Sequence, residues 1–160
     1  MKAHPKILVV DNDRNILAAL RLSLTAECYR LIGCSSAAEA LNKIQRGNVD
    51  LVVTEIHVNG VVESGFTFLT TLRHDTPHLP IIVISNCLDR DVEKRLISLG
   101  IKAIFSKPLE LRLLRRTMRT LLIGSGLRPR RGVLGSKTKS QSPPAIIARC
   151  WRAGTIPKTI

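Results

Sequence analysis

A chain of 160 residues with 44% apolar side chains is long enough for one domain with a real core and a tail left over. Its net charge of +13 is uneven: residues 1–123 carry 17 Lys/Arg and all 12 acids, a net +5, while residues 124–160 carry eight Lys/Arg and no acid, a net +8. The longest uncharged runs, such as TLLIGSGL, are too short to span a bilayer, and MKAHPKILVVDND lacks a signal-peptide core, so a cytoplasmic protein without membrane contact is expected.

KILVV (Lys6 to Val10) is a short apolar run of strand length, closed by the polar cluster DNDRN. From Ile16, apolar residues recur at Leu17, Leu20 and Leu24, which is helical spacing. CYRLIGC is a second strand. SAAEALNKI opens with Ser36 and, three residues later, Glu39, a capping-box pattern that starts a helix ending near Gly47. DLVVTE is the third strand. After an irregular loop, GFTFLTTLRHD places Phe66, Leu69 and Leu72 on one helical face. PIIVIS is the fourth and most apolar strand. DRDVEKRLISLG spaces Val92, Leu96 and Leu99 as a helix, with Gly100 as its stop. IKAIFS is a fifth strand, and LELRLLRRTMRTLL a fifth helix with Leu111, Leu114, Met118 and Leu121 as its apolar stripe. Aromatics at 3% leave the core to Leu, Ile and Val.

Strands that alternate with helices, several of them almost continuously apolar, predict a parallel sheet covered on both faces, a doubly wound α/β fold. In such sheets the working site lies beyond the carboxyl ends of the strands. There the sequence gathers Asp11, Asn12 and Asp13 after strand one, Glu55 ending strand three, Ser85 and Asn86 ending strand four, and Ser106, Lys107 and Pro108 after strand five. Any one of these is unremarkable, since Asp and Ser commonly start helices. Carboxylates, a hydroxyl and one lysine at a single rim point to an oxyanion or phosphoryl site with a divalent cation.

At those motifs, ILVVDND, DLVVTEIHVNG, PIIVISN and GIKAIFSKP, residues 6–122 resemble the receiver domain of bacterial two-component response regulators. The resemblance implies a flavodoxin-like fold of five parallel strands and five helices over residues 1–123, and a cis bond at Lys107–Pro108. It also implies an aspartate that takes phosphate from a histidine kinase, Mg²⁺ to neutralise charge, and a hydroxyl and lysine that follow the phosphoryl oxygens. Carried over residue by residue, the phosphoacceptor position is Glu55, the acidic pocket Asp11, Asn12 and Asp13, and the phosphoryl-contact positions Ser85 and Lys107. The switch position, normally aromatic, is Ile104, which otherwise reads as a β-branched core residue. Asn59 replaces a proline, and VVES lengthens the loop after the third strand.

Two departures bear on the chemistry. One acid of the pair has become the neutral Asn12, and the glutamate at 55 sits one methylene further out than an aspartate. Misplacement of about 1 Å can cost on the order of a hundredfold in rate. Mg²⁺ demands near-ideal octahedral oxygen geometry, so with Asp11 and Glu55 as its protein ligands weak or absent binding is expected. A longer carboxylate instead reaches toward Lys107, where a charge-assisted hydrogen bond is worth about 1.5–3 kcal/mol. The leading expectation is a receiver that works without phosphorylation as a protein-interaction module. A residually phosphorylatable receiver and a structural relic are the alternatives; a phosphoryl-transfer enzyme has the fold but lacks the nucleophile. Of the four histidines, His57 is nearest the pocket, its side chain expected to point away.

On the fifth helix Arg112, Arg115, Arg116 and Arg119 line the face opposite the apolar stripe, which reads first as a solvated helix face and otherwise as contacts for an acidic partner or nucleic acid. The resemblance makes the fourth helix, fifth strand and fifth helix the surface for a homodimer or a partner, either a histidine kinase or a downstream regulator. The tail from Gly124, with Arg128, Arg130 and Arg131, has Gly, Ser and Pro at linker density and reads as disordered. No helix-turn-helix fits it, so any nucleic-acid contact would be non-specific. A transcriptional regulator acting through this tail, or a remnant of a longer DNA-binding regulator, is the competing class. The cysteines Cys28, Cys34, Cys87 and Cys150 show no metal-ligand spacing and read as unpaired thiols.

Overall fold

The computed structural model describes residues 4–24, 27–57, 60–86 and 88–126, and the backbone of 146–148. Its elements in chain order are β1 (Lys6–Val10), α1 (Arg14–Leu24), β2 (Arg30–Cys34), α2 (Ala37–Gln45), β3 (Leu51–Glu55), α3 (Val62–Asp75), β4 (Ile81–Ser85), α4 (Arg90–Ser98), β5 (Ala103–Ser106), α5 (Leu111–Gly124) and β6 (Ile146–Ala148). The sheet runs β2-β1-β3-β4-β5-β6 and every pairing is parallel. Five parallel strands in the order 2-1-3-4-5, alternating with five helices, make the receiver fold. The sixth strand, Ile146–Ala148, lies in the tail that the sequence reads as disordered. Arg128, Arg130 and Arg131 lie outside the described residues, as do Asn59, Cys87 and Cys150.

Strand alternation divides the core in two. Leu8, Val10, Val52, Ile81, Val83 and Ile104 face one way, against Ala40 of α2, Phe66, Leu69 and Leu72 of α3 and Leu96 of α4. Ile7, Val9, Leu51, Val53, Ile82, Ile84 and Phe105 face the other, against Leu20 and Leu24 of α1 and Leu114, Met118 and Leu121 of α5. Each such side chain, fully buried, contributes about 1.5–3 kcal/mol of transfer free energy. Both faces are dry, so β3 and β4 have no residue to spare for water and read as continuous apolar runs.

Local chemistry sets the boundaries. Ser36 caps α2 by accepting the Glu39 N–H at 3.2 Å, and Asp89 caps α4 through the N–H groups of Asp91 and Val92. At the other end of α4, Gly100 takes φ +72. Its N–H reaches the Ile97 carbonyl and the Ile101 N–H reaches that of Leu96, a Schellman stop that delays β5 to Ala103. Cys28, at φ 55, turns the chain before β2, which therefore starts at Arg30 rather than at the cysteine. Most of the VVES stretch is not loop: α3 begins at Val62, just after the extended Val61, and Glu63 in its first turn forms a two-pronged pair with Arg95 of α4 at 2.7 and 2.9 Å. Gly65 lets α3 lie directly on the end of β3, because a Cβ there would run into the Ile56 carbonyl. The Lys107–Pro108 peptide bond is cis. Among the described residues no helix is long and apolar enough to cross a membrane.

Candidate functional site

β1 has β2 on one side and β3 on the other, so the connections leave it in opposite directions and a crevice opens beyond the carboxyl ends of β1 and β3. Asp11 follows β1, Glu55 ends β3, Ser85 ends β4, and Lys107 follows β5. The structure brings all four together. The Lys107 ammonium lies 2.9 Å from Asp11 Oδ2 and 2.9 Å from Glu55 Oε2. These three side chains are 14%, 3% and 8% exposed, so the ammonium is a nearly dry bridge between two carboxylates.

The other Glu55 oxygen is also held. Oε1 accepts the Ile56 N–H at 2.8 Å and the His57 N–H at 3.2 Å. The His57 ring, expected to point away, turns inward instead: its Nδ1 lies 3.3 Å from Glu55 Oε1 and 3.2 Å from Ser85 Oγ. Strand periodicity was the available signal, since residues 55 and 57 fall on the same side if extended backbone persists two residues past β3. Ser85 is fully buried, and its carbonyl accepts the Lys107 N–H at 2.9 Å, which fixes the strand that delivers the lysine.

Burial pushes the Glu55 carboxyl up, but Lys107, the His57 N–H and Ser85 outweigh it and leave the pKa below the ordinary carboxylate value. Burial likewise pulls the Lys107 ammonium down, and its bonds to Glu55 and Asp11 more than restore it, to above the ordinary lysine value. Both shifts favour the ionised pair.

The remaining acidic-pocket positions are elsewhere. Asn12 and Asp13 are exposed. The Asp13 carboxylate accepts the Asn15 N–H at 2.9 Å and so sits at the start of α1, while Asp11 Oδ1 accepts the Asp13 N–H at 2.8 Å. Among the described residues no three His, Cys, Asp or Glu side chains are placed to hold a metal ion. The Lys107 ammonium spans Asp11 and Glu55, the two carboxylates that the sequence assigns to a cation. Ile104 is fully buried in the layer under α2, α3 and α4.

The basic face of α5 divides. Arg112 and Arg116 are exposed, but Arg115 and Arg119 both reach the buried Glu27, Arg115 at 2.8 Å and Arg119 at 2.7 and 2.8 Å. They are therefore half-exposed side chains that are also ion-paired to a buried acid, which the spacing alone does not predict. Glu27 lies between α1 and β2, and α1 and α5 share one face of the sheet, which brings together residues 88 and 92 positions apart. Hydrogen bonding to Arg119 is the main reason the Glu27 pKa falls below the ordinary carboxylate value, with Arg115 helping against burial. Cys28 and Cys34 are free thiols, and burial pushes the Cys34 thiol up to about 11.

A doubly wound 2-1-3-4-5 sheet with acid, hydroxyl and lysine at the switch-point rim defines a receiver domain. Residues 7–119 match the family model for the response regulator receiver domain, and the chain belongs to that family: these residues are a receiver domain of two-component signal transduction, a signalling module. Among curated proteins it is 33% identical over 103 residues to the response regulator GtcR of Aneurinibacillus migulanus, covering 64% of this chain and 41% of that protein. It is 30% identical over 105 residues to the putative two-component response regulator ARR21 of Arabidopsis thaliana, covering 64% and 16%. The match thus spans less than half the length of these relatives. Among solved structures, the signal receiver domain of an HD domain-containing protein from Pseudomonas fluorescens shares 27% identity at a TM-score of 0.71, covering 79% of this chain and 92% of that one. The beryllofluoride-activated NtrC4 receiver domain dimer has the same fold at a TM-score of 0.68 and 22% identity, covering 75% and 98%.

Proposed function

We propose that this receiver works without phosphorylation, as a protein-interaction module whose phosphoacceptor position is filled by a fixed charge. The observation that carries the reading is the Lys107 ammonium held at 2.9 Å by both Asp11 and Glu55. A phosphoryl group arriving at this site must displace an ion pair that is already satisfied and nearly dry. The attacking carboxylate is tied on both oxygens, by Lys107 on one and by two backbone N–H groups on the other. With an amide at Asn12 and the ammonium between the two acids, Mg²⁺ binding is weak or absent. The receiver unit is residues 1–123, and residues 124–160 are a basic segment of which Ile146–Ala148 pair with β5. Its partners are proteins, a histidine kinase or a downstream regulator, and a homodimer through α4, β5 and α5 belongs to the same proposal.

The test is amide NMR with beryllofluoride or acetyl phosphate and Mg²⁺. The spectrum is expected to stay unchanged around Glu55, Ser85 and Lys107; saturable shifts there would sink the phosphate-independent reading. A Glu55→Asp variant is the gain arm. A response places the block in the nucleophile alone, and silence places it also at Asn12.

A further inference from the structure

In the 2-1-3-4-5 order β5 is an edge strand, with one row of peptide groups left unpaired. Such an edge is a template for a further strand, and proteins ordinarily blunt it with charge, proline or a cover. β5, reading AIFS, has neither charge nor proline. It is covered: Ala103, Ile104 and Phe105 pair in parallel with Ile146, Ile147 and Ala148. The covering residues lie more than 20 positions beyond the end of α5, in a stretch where IIA is the one short apolar run between PP and R.

We propose that the outer edge of β5 is a strand-binding site for a short extended apolar segment, and that the chain's own residues 146–148 are its resident ligand, docked in cis. Main-chain bonds supply the affinity in this mode of recognition, so a three-residue ladder is weak and exchangeable. A second strand of the same kind can therefore reach the edge only when the resident one leaves. The paired residues Ala103–Phe105 precede Lys107 on the same strand, but the ladder is made by main-chain groups, and nothing in the proposal depends on whether the pocket takes phosphate. It does bear on the α4, β5 and α5 surface, since any partner or second copy using β5 must accept β6 beside it or displace it.

The register makes the test specific. Lys107 N–H bonds to Ser85 on the β4 side, so the peptide groups of Phe105 and Ala103 face β4 as well, and those of Ile104 face outward. With Ile104 opposite Ile147, the Ile104 N–H meets the Ile146 carbonyl and its own carbonyl meets the Ala148 N–H. Ala148→Pro in the full chain removes that donor, whereas Ile147→Pro removes an N–H directed away from β5, where an edge strand tolerates proline.

Hydrogen exchange of the Ile104 amide is expected to be at least about tenfold faster in Ala148→Pro and near wild type in Ile147→Pro. A synthetic peptide of residues 145–151, added under reducing conditions, is expected to restore slow exchange in Ala148→Pro and to leave the wild-type chain unchanged. Equal exchange in the wild-type chain and Ala148→Pro overturns the proposal, as does failure of the peptide to restore protection. Sedimentation of the wild-type chain as a dimer whose β6 is shown by mixed isotope labelling to come from the other copy overturns docking in cis.

Discussion

Among the described residues two buried charges are each shared by two partners, with opposite stoichiometry. At the rim of the sheet one ammonium serves two carboxylates, Lys107 between Asp11 and Glu55. At the corner between α1, β2 and α5, one carboxylate serves two guanidinium groups, Glu27 between Arg115 and Arg119. In both, the shared member is the charge in the minority. The difference is where the majority charges go. At the rim both carboxylates are under 10% exposed, so removing the cation strands them. At the corner the arginine side chains are 36% and 39% exposed and can turn to water. The first cluster is therefore a constrained device and the second an ordinary tether of α5 to its neighbours.

The sharpest way to break the comparison is to remove each shared charge. Lys107→Met leaves two buried carboxylates facing one another, and loss of one partner from a buried pair costs about 3–5 kcal/mol. Urea unfolding should show a loss in that range; a loss under about 1 kcal/mol would mean that the two acids are better solvated than their burial implies. Acidification is a milder form of the same break, since protonating Glu55 removes a charge instead of stranding one. Its folded pKa lies below the ordinary 4.5, so the stabilisation is full above 4.5 and is lost as pH falls through the depressed value. Lys107 has the opposite sign: raised above 10.5, it stabilises fully below 10.5 and fades as pH rises through the folded value. A stability plateau bounded by these two limbs is expected, and in Lys107→Met the acid limb should reverse, with stability rising as the stranded Glu55 takes up a proton.

Glu27→Gln should cost less, about 1–2 kcal/mol, because hydrogen bonds to charged groups are worth about 1.5–3 kcal/mol when dry and less when half exposed. The same urea measurement ranks it against Lys107→Met. A larger loss for Glu27→Gln would invert the assignment of device and tether.

How much of this could be read from the chain follows from the range of each signal. The apolar runs of β1, β3 and β4 and the helical spacings of α3 to α5 are local, and they gave the fold. The rim was legible because a parallel sheet brings the carboxyl ends of its strands together, so Asp11, Glu55, Ser85 and Lys107 meet whatever their separation in sequence. His57 was misplaced because its direction depends on whether the strand geometry carries past Glu55, which no residue type announces. The Glu27 corner was invisible for a stronger reason: Arg115 and Arg119 look like a solvated helix face until α1 and α5 are placed on the same side. The start of α3 was missed because Val61 offers no side-chain cap and the helix is held instead by Glu63 reaching Arg95. β6 has three residues in a segment dominated by linker composition, too short for any periodicity to register.

Salt separates the two clusters most gently. At 1 M ionic strength the screening length falls to about 3 Å, and exposed charges lose most of their attraction while dry ones keep theirs. Arg115 and Arg119 are open to counterions on one side, so the corner should weaken by a few tenths of a kcal/mol. Lys107 is enclosed by its two acids and should not respond. The measurement is a double comparison: the destabilisation caused by Glu27→Gln, taken at low and at high salt, should shrink, while that caused by Lys107→Met should hold. If both shrink together, the rim is wetter than its exposures imply, and the ammonium there could be exchanged for an incoming cation. If neither shrinks, the arginines are held as rigidly as the lysine, and α5 is locked to the α1 corner by a pair that no longer counts as a surface one.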